Sequence, residues 1–256
     1  MTLFPILALA LAGACGSACA VTTGLAAPTA ASDKSGWHTS AELGAITASG
    51  NTAGTSVTGK IDARQEEDRW SNQYIASGFF KEDVRRAGDG TETRVDTARR
   101  YALSSKFAYR LAGDTDKVYM LVTRVEDKFG AFTEYSTLGV GRSMRALASG
   151  DKTLDVELGP GYFSGERPNG DEEAGLTVRG AAALRWQLSP SASFSHTVSV
   201  EKGTSNVHSA AEAALSTKIN GTMQMKAAIV ARNDSNVPVN KKNTDTQTSV
   251  TLVYSF

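Results

Sequence analysis

The sequence predicts an all-β fold: an antiparallel up-and-down transmembrane β-barrel of about twelve strands, preceded by a signal peptide. Three observations predict it. Apolar residues recur at every second position over runs of 10 to 13 residues, the opposite face of those runs carries charge, and connections alternate between tight and long. Composition agrees. The 256 residues carry 27 Lys+Arg against 27 Asp+Glu, with 41% apolar side chains. With no basic excess to displace phosphate counterions, nucleic acid is not expected as a partner. The apolar fraction is too high for a disordered chain.

In chain order, residues 1–20 come first. Leu3 to Cys15 is an unbroken apolar stretch, shorter than the roughly 20 residues of a spanning helix. Ala18-Cys19-Ala20 follows as an A-x-A cleavage site, although no basic residue precedes it. Cleavage there removes Cys15 and Cys19, the only two thiols, so the exported chain would have no disulfide to staple it. Residues 21–36, rich in Ala, Thr and Ser, read as a short flexible tether, and 37–256 as the barrel.

Strands are expected near 37–49, 55–66, 70–82, 97–111, 117–129, 134–146, 153–164, 175–188, 192–204, 210–219, 222–234 and 244–256. In the eighth, Leu176, Val178, Gly180, Ala182, Leu184 and Trp186 alternate with Thr177, Arg179, Ala181, Ala183, Arg185 and Gln187. Such a period of two puts one set on each face of a strand. The fifth and sixth are ambiguous, because Tyr119, Leu121 and Val125 compete with Val118, Met120 and Val122 for the outward face. Leu138 and Val140 share that ambiguity. The longest connections, 84–96, 165–174 and 235–243, are all odd-numbered, whereas even ones such as Ser189–Ser191 and Asn220-Gly221 are tight. In a meander this places long loops on one rim and short turns on the other.

Strands of this length suit an oblique membrane span better than a soluble sandwich, whose strands average about 5 to 6 residues. The apolar face would meet lipid. The candidate lumen lining is then Glu42, Lys60, Asp62, Arg64, Lys106, Arg110, Asp155, Glu157, Arg179, Arg185, Glu201, Glu212, Lys226 and Arg232. Trp37, Trp70, Trp186, Tyr119, Tyr135, Tyr162, Tyr254 and Phe256 lie toward strand ends, as interfacial girdles require.

The ending TQTSVTLVYSF, with Leu252, Tyr254 and Phe256, resembles the C-terminal assembly signal of outer-membrane barrels. That resemblance implies the barrel-insertion machinery as a partner. Trp37 to Thr58, with Glu42-Leu43-Gly44 and Ser49-Gly50-Asn51-Thr52, resembles the opening hairpin of the salt-induced outer-membrane protein family, a domain family of unknown function. Gly139–Met144 and Leu158–Glu166 resemble that family's consecutive glycine-bearing strands. The resemblance implies a small outer-membrane barrel of Gram-negative bacteria, named for a proposed link to salt, and implies no catalytic residue.

No catalytic, metal or cofactor motif is present: HExxH, CxxC, a P-loop and GxSxG are all missing. Ser195 and His196 are adjacent in a strand, point to opposite faces and cannot form a dyad. The acidic run Asp171-Glu172-Glu173 has no EF-hand spacing. Lys241-Lys242 could touch lipopolysaccharide or simply solvate a loop. For twelve strands the backbone radius is on the order of 12 Å, so long side chains would leave at most a narrow passage. The expected function is therefore a narrow polar channel or a structural barrel, embedded in outer-membrane lipid and lipopolysaccharide. The alternatives are a lipid-modifying enzyme and a recognition protein using the three long loops.

Overall fold

The computed structural model describes residues 36–48, 53–86, 91–111, 116–237 and 242–256. The expected signal peptide and almost all of the tether lie outside the described residues. What is described forms one closed antiparallel barrel of twelve strands. They are β1 (Gly36–Ala48), β2 (Gly54–Glu66), β3 (Trp70–Arg86), β4 (Glu92–Arg110), β5 (Asp116–Asp127), β6 (Glu134–Ser149), β7 (Lys152–Glu166), β8 (Glu172–Gln187), β9 (Ala192–Lys202), β10 (Val207–Lys218), β11 (Met223–Asp234) and β12 (Thr244–Ser255). Each pairs with its chain neighbours, and β12 returns to β1. In hydrocarbon every backbone N–H and C=O needs a partner inside the protein, which a closed ladder supplies.

Burial is inside out. The outward large apolar residues are the exposed ones: Leu176 is 77% exposed, Leu43 66% and Leu158 65%, whereas Arg100, Arg179 and Arg232 are only 5–6% exposed. A water-soluble fold would reverse that order. Register settles the two ambiguous strands. Leu121 pairs with Lys106 and Tyr119 with Ala108, on the same face as Asp127 opposite Arg100. Tyr119, Leu121 and Val125 therefore point inward and are buried. Val118, Met120, Val122, Leu138 and Val140 face out and are exposed. Tyr119 and Tyr135 thus leave the girdle expected of them. Period-two reasoning could not assign Tyr119 because both faces of β5 are apolar.

The remaining aromatics do cluster. Near the rim bearing the C-terminus, Trp37 stacks on Tyr74 with centroids 6.1 Å apart, Trp70 meets Tyr109 edge-on at 4.7 Å, and Tyr254 lies 5.7 Å from Phe256. Trp186 donates to Asp151 at 2.8 Å while the Lys152 ammonium sits 4.4 Å over its ring. An amphipathic ring with one polar partner suits the headgroup layer.

The loop expected over 84–96 is mostly strand. β3 and β4 stay paired to Arg86↔Glu92 and carry a register shift at Lys81/Glu82, so this hairpin extends its ladder on the long-loop rim. Charged residues throughout 82–96 hid it from hydrophobic periodicity. Likewise the 165–174 connection shortens to 167–171, because Glu166 still pairs with Glu172. The 235–243 connection keeps its expected bounds.

Glycines thin the inner wall where β6 and β7 meet. A Cβ on Gly159 would run into the Val140 carbonyl oxygen, and one on Gly141 would lie 2.9 Å from the Tyr119 hydroxyl. Gly159→Ala should lower stability by about 1 to 3 kcal/mol, read from urea unfolding in lipid vesicles. Folded protein should migrate faster in detergent gels unboiled than boiled. Leu158→Arg, on the lipid face, should cost about 2 to 4 kcal/mol. Arg185→Leu, on the inner face, should cost less than about 1 kcal/mol. Equal costs would contradict the assigned faces.

Candidate functional site

The candidate site is the barrel interior. Strand parity alone decides which side chains enter it, so each inward position on one strand fixes those two residues away. The paired registers put every nominated residue on the inner face: Glu42, Lys60, Asp62 and Arg64 from β1 and β2, Lys106 and Arg110 from β4, Asp155 and Glu157 from β7, Arg179 and Arg185 from β8, Glu201 from β9, Glu212 from β10, and Lys226 and Arg232 from β11.

Six of these form a ladder of alternating sign along one wall. Glu212 meets Lys226 at 3.0 Å, and Lys226 meets Glu42 at 3.3 Å. Glu42 meets Lys60 at 3.7 Å, Lys60 meets Asp62 at 3.9 Å, and Asp62 meets Arg64 at 3.1 Å. The Gln73 amide also donates to Asp62 at 2.8 Å. Each charge in this row has an opposite neighbour, which offsets the cost of leaving bulk water.

A second group crosses the interior. The Lys106 ammonium on β4 donates to Glu157 on β7, reaching past β5 and β6. It passes 4.8 Å over the Tyr119 ring. Glu157 also accepts from Arg179 at 3.1 Å. Nearby, Arg145 grips Asp155 through Nε and Nη2 at 2.8 and 3.3 Å, and Thr177 donates to Glu201 at 3.0 Å. Among the described residues, Arg110 and Arg185 make no ion pair within 4.0 Å.

Charge is also unequal along the barrel axis. Among inward strand residues near the long-loop rim, Asp83, Asp127, Glu173, Glu201, Asp234 and Asp245 outnumber Lys81, Arg85, Arg100 and Arg232. Toward the opposite rim, Arg64, Arg110, Lys117, Arg145, Arg185 and Lys218 outnumber Asp62, Glu66 and Asp155. At the acidic end lies a cavity of about 90 Å³ whose lining includes Arg100, Asp127, Tyr135, Phe163, His208 and Arg232. There Arg100 donates to Asp127 at 3.1 Å and to the Tyr135 hydroxyl at 3.3 Å.

Arg100, Asp127, Lys117, Arg145, Tyr119 and Tyr135 were not nominated from the sequence. Parity with Lys106 would have found Arg100, since both sit on β4. Asp127 and Tyr119 needed the face of β5, which pattern alone left open.

Ser195 faces inward opposite Ala214, whereas His196 pairs with Leu184 and Ala213 on the outer face. The His196 Nδ1 lies 3.1 Å from the Glu212 carbonyl oxygen. In the acidic loop Asp171 accepts from Asn169, and Glu173 is held by Arg167 at 2.7 Å. Among the described residues no group of three His, Cys, Asp or Glu side chains could hold a metal.

The family model described as "Protein of unknown function, DUF481" matches residues 41–256. The chain belongs to this family. It is 25% identical over 229 residues to the uncharacterized protein YdiY of Escherichia coli K12, covering 88% of this chain and 86% of that one. Its fold is similar to an outer membrane channel from Pseudomonas putida F1, with TM-score 0.55, 11% identity, and coverage of 93% and 100%. It also resembles the NanC porin, with TM-score 0.53, 9% identity, and coverage of 85% and 98%. The DUF481 chain is thus a closed twelve-stranded β-barrel with the fold of these outer-membrane channel and porin structures.

Glu157→Gln should cost about 2 to 3 kcal/mol, because it leaves Lys106 and Arg179 facing each other without a carboxylate. Tryptophan fluorescence during urea unfolding in vesicles measures it. Restoring balance with Lys106→Met in the same chain should recover part of the loss, a coupling read from the double-mutant cycle.

Proposed function

We propose that this chain is a narrow polar channel in the outer membrane of a Gram-negative bacterium, with its bore set by the ion-paired lumen. One observation carries the reading: charged side chains fill an enclosed interior while the large apolar ones face outward. Charged rings at close quarters select by size and sign. Lys106 and Glu157, reaching across the wall from β4 to β7, form the constriction. Solutes that pass are small and polar.

The same reading includes export by a signal peptide cleaved after Ala20, which the Leu3–Cys15 run supports. It includes insertion by the barrel-assembly machinery through Leu252, Tyr254 and Phe256. Lipid and lipopolysaccharide are the surroundings, with no enzymatic step. The family resemblance in the opening hairpin supports a role under salt or envelope stress.

Planar-bilayer recording tests the channel. Folded, heat-modifiable protein should give discrete conductance steps, and a chain carrying both Lys106→Ala and Glu157→Ala should give larger ones. Folded protein that gives no steps, with or without these changes, is a structural barrel instead.

A further inference from the structure

The short-turn end of the interior holds cations that no carboxylate answers. Arg110 on β4 and Lys117 on β5 are registered directly opposite each other, and both point inward. Side chains paired in this way have Cβ atoms about 4.5 to 5.5 Å apart, a spacing at which like charges repel. Arg185 on β8 lies at the same end of the barrel, within the electrostatic reach of Arg145 and Arg64. Lys117 lies within reach of Arg110, Arg145 and Lys106. Guanidiniums and an ammonium thus converge on one zone from separate parts of the wall.

Their surroundings do not neutralise them. Asp62 is spent on Arg64 at 3.1 Å, and Asp155 on Arg145 at 2.8 Å. Lys117 donates to the Ser71 hydroxyl at 3.1 Å, an uncharged acceptor. The carboxylates of the adjoining turns face away: Asp116, Asp151 and Glu67 are engaged by Arg142, Trp186 and Gln65. Among the described residues, Arg110, Lys117 and Arg185 make no ion pair within 4.0 Å. Glu66 on β2 is within reach of Lys117 but does not pair with it. Arg110, Lys117 and Arg185 against Glu66 alone leave two positive charges over, and Lys218 at the rim adds to the excess. Arg110, Lys117 and Arg185 are half-buried, so they are open to a dissolved ion, yet less screened from one another than in bulk water.

We propose that the short-turn end of the lumen binds a compact, multiply charged oxyanion of the phosphate or diphosphate class. The excess of positive charge calls for a ligand that brings more than one negative charge to a single place. Two guanidinium forks and an ammonium supply donors that match the clustered oxygens of such a group. A bound anion also removes the repulsion between Arg110 and Lys117, which favours the occupied state. Its source is a dissolved anion and not a lipid headgroup, because the closing strands are paired at this level. There β1 meets β12 from Ser40 to Leu43, and Thr39 exchanges backbone hydrogen bonds with Phe256. The site needs the enclosed interior but not conduction, so a barrel that gives no current steps can still bind.

The test is calorimetric titration of inorganic diphosphate into the full chain, folded in uncharged maltoside micelles. Ionic strength is held at about 10 mM, where the Debye length is about 30 Å. The unaltered chain should bind saturably, and no saturable binding overturns the proposal. Arg110→Gln together with Lys117→Gln should weaken binding by about tenfold or more, the weight of one charge-assisted hydrogen bond. Lys152→Gln, which removes an outward cation at the same rim, should leave binding unchanged. Equal binding by the doubly altered chain overturns the site. Urea midpoints guard against misfolding. Without diphosphate, the doubly altered chain should unfold at the same or a higher urea concentration than the unaltered one, and diphosphate should raise only the unaltered midpoint. A lower midpoint for the doubly altered chain without diphosphate shows that the pair holds the barrel together, and defeats the proposal. Phosphatidylglycerol added to the micelles should not displace diphosphate; displacement assigns the cations to the headgroup layer and defeats it too.

Discussion

Backbone hydrogen bonding in a medium without water is the constraint from which the rest of this molecule follows. A sheet in hydrocarbon must have no free edge, so twelve strands bend until the last meets the first. Closure separates two faces permanently. Because side chains alternate along every strand, the sequence must then supply two incompatible chemistries in strict alternation. Lipid takes Leu43, Leu103, Leu158 and Leu176, and the interior takes Glu42, Lys106, Glu157 and Thr177. A one-residue slip would put every one of those charges into lipid, so the ionic interior also holds the register.

The interior meets its own electrostatic problem by alternation of sign. From Glu212 through Lys226, Glu42, Lys60 and Asp62 to Arg64, each group lies beside one of opposite charge on the same or a nearby strand. Buried pairs of this kind need not add net stability over apolar packing. An apolar interior, however, would make both faces greasy and leave the two sides of the sheet indistinguishable to the membrane. The ion pairs are better understood as specifying which face is inside.

Much of this was legible in the sequence, and what was missed has a common physical cause. Alternation in 175–188 and 97–111 gave strand, face and lumen residues together, since apolar and charged side chains do not mix there. Strand β5 defeated the same reasoning because Tyr119, Leu121 and Val125 are apolar and yet inward. Tyr119 and Leu121 pack against Ala108 of β4, with the Lys106 ammonium over the Tyr119 ring. Tyr135 hid for a related reason, its ring being buried beside Arg100 while its hydroxyl accepts from that guanidinium. The β3–β4 extension was read as loop because a strand standing clear of the bilayer has no apolar face to betray it. The short register between β1 and β12 depends on contacts between the first and last strands, about two hundred residues apart, and no local pattern encodes it.

Where β6 meets β7, Gly139, Gly141, Gly159 and Gly161 leave a stretch of inner wall with no side chains at all. Tyr119 lies down in that hollow, its hydroxyl against Gly141. The calibre of the tube is thus governed there by what has been left out. A larger residue at Gly141 would press on the Tyr119 hydroxyl and lift the phenol ring toward the axis without adding or removing a single charge. Diameter and ionic character are therefore written in different residues of this barrel, and can vary independently among its relatives.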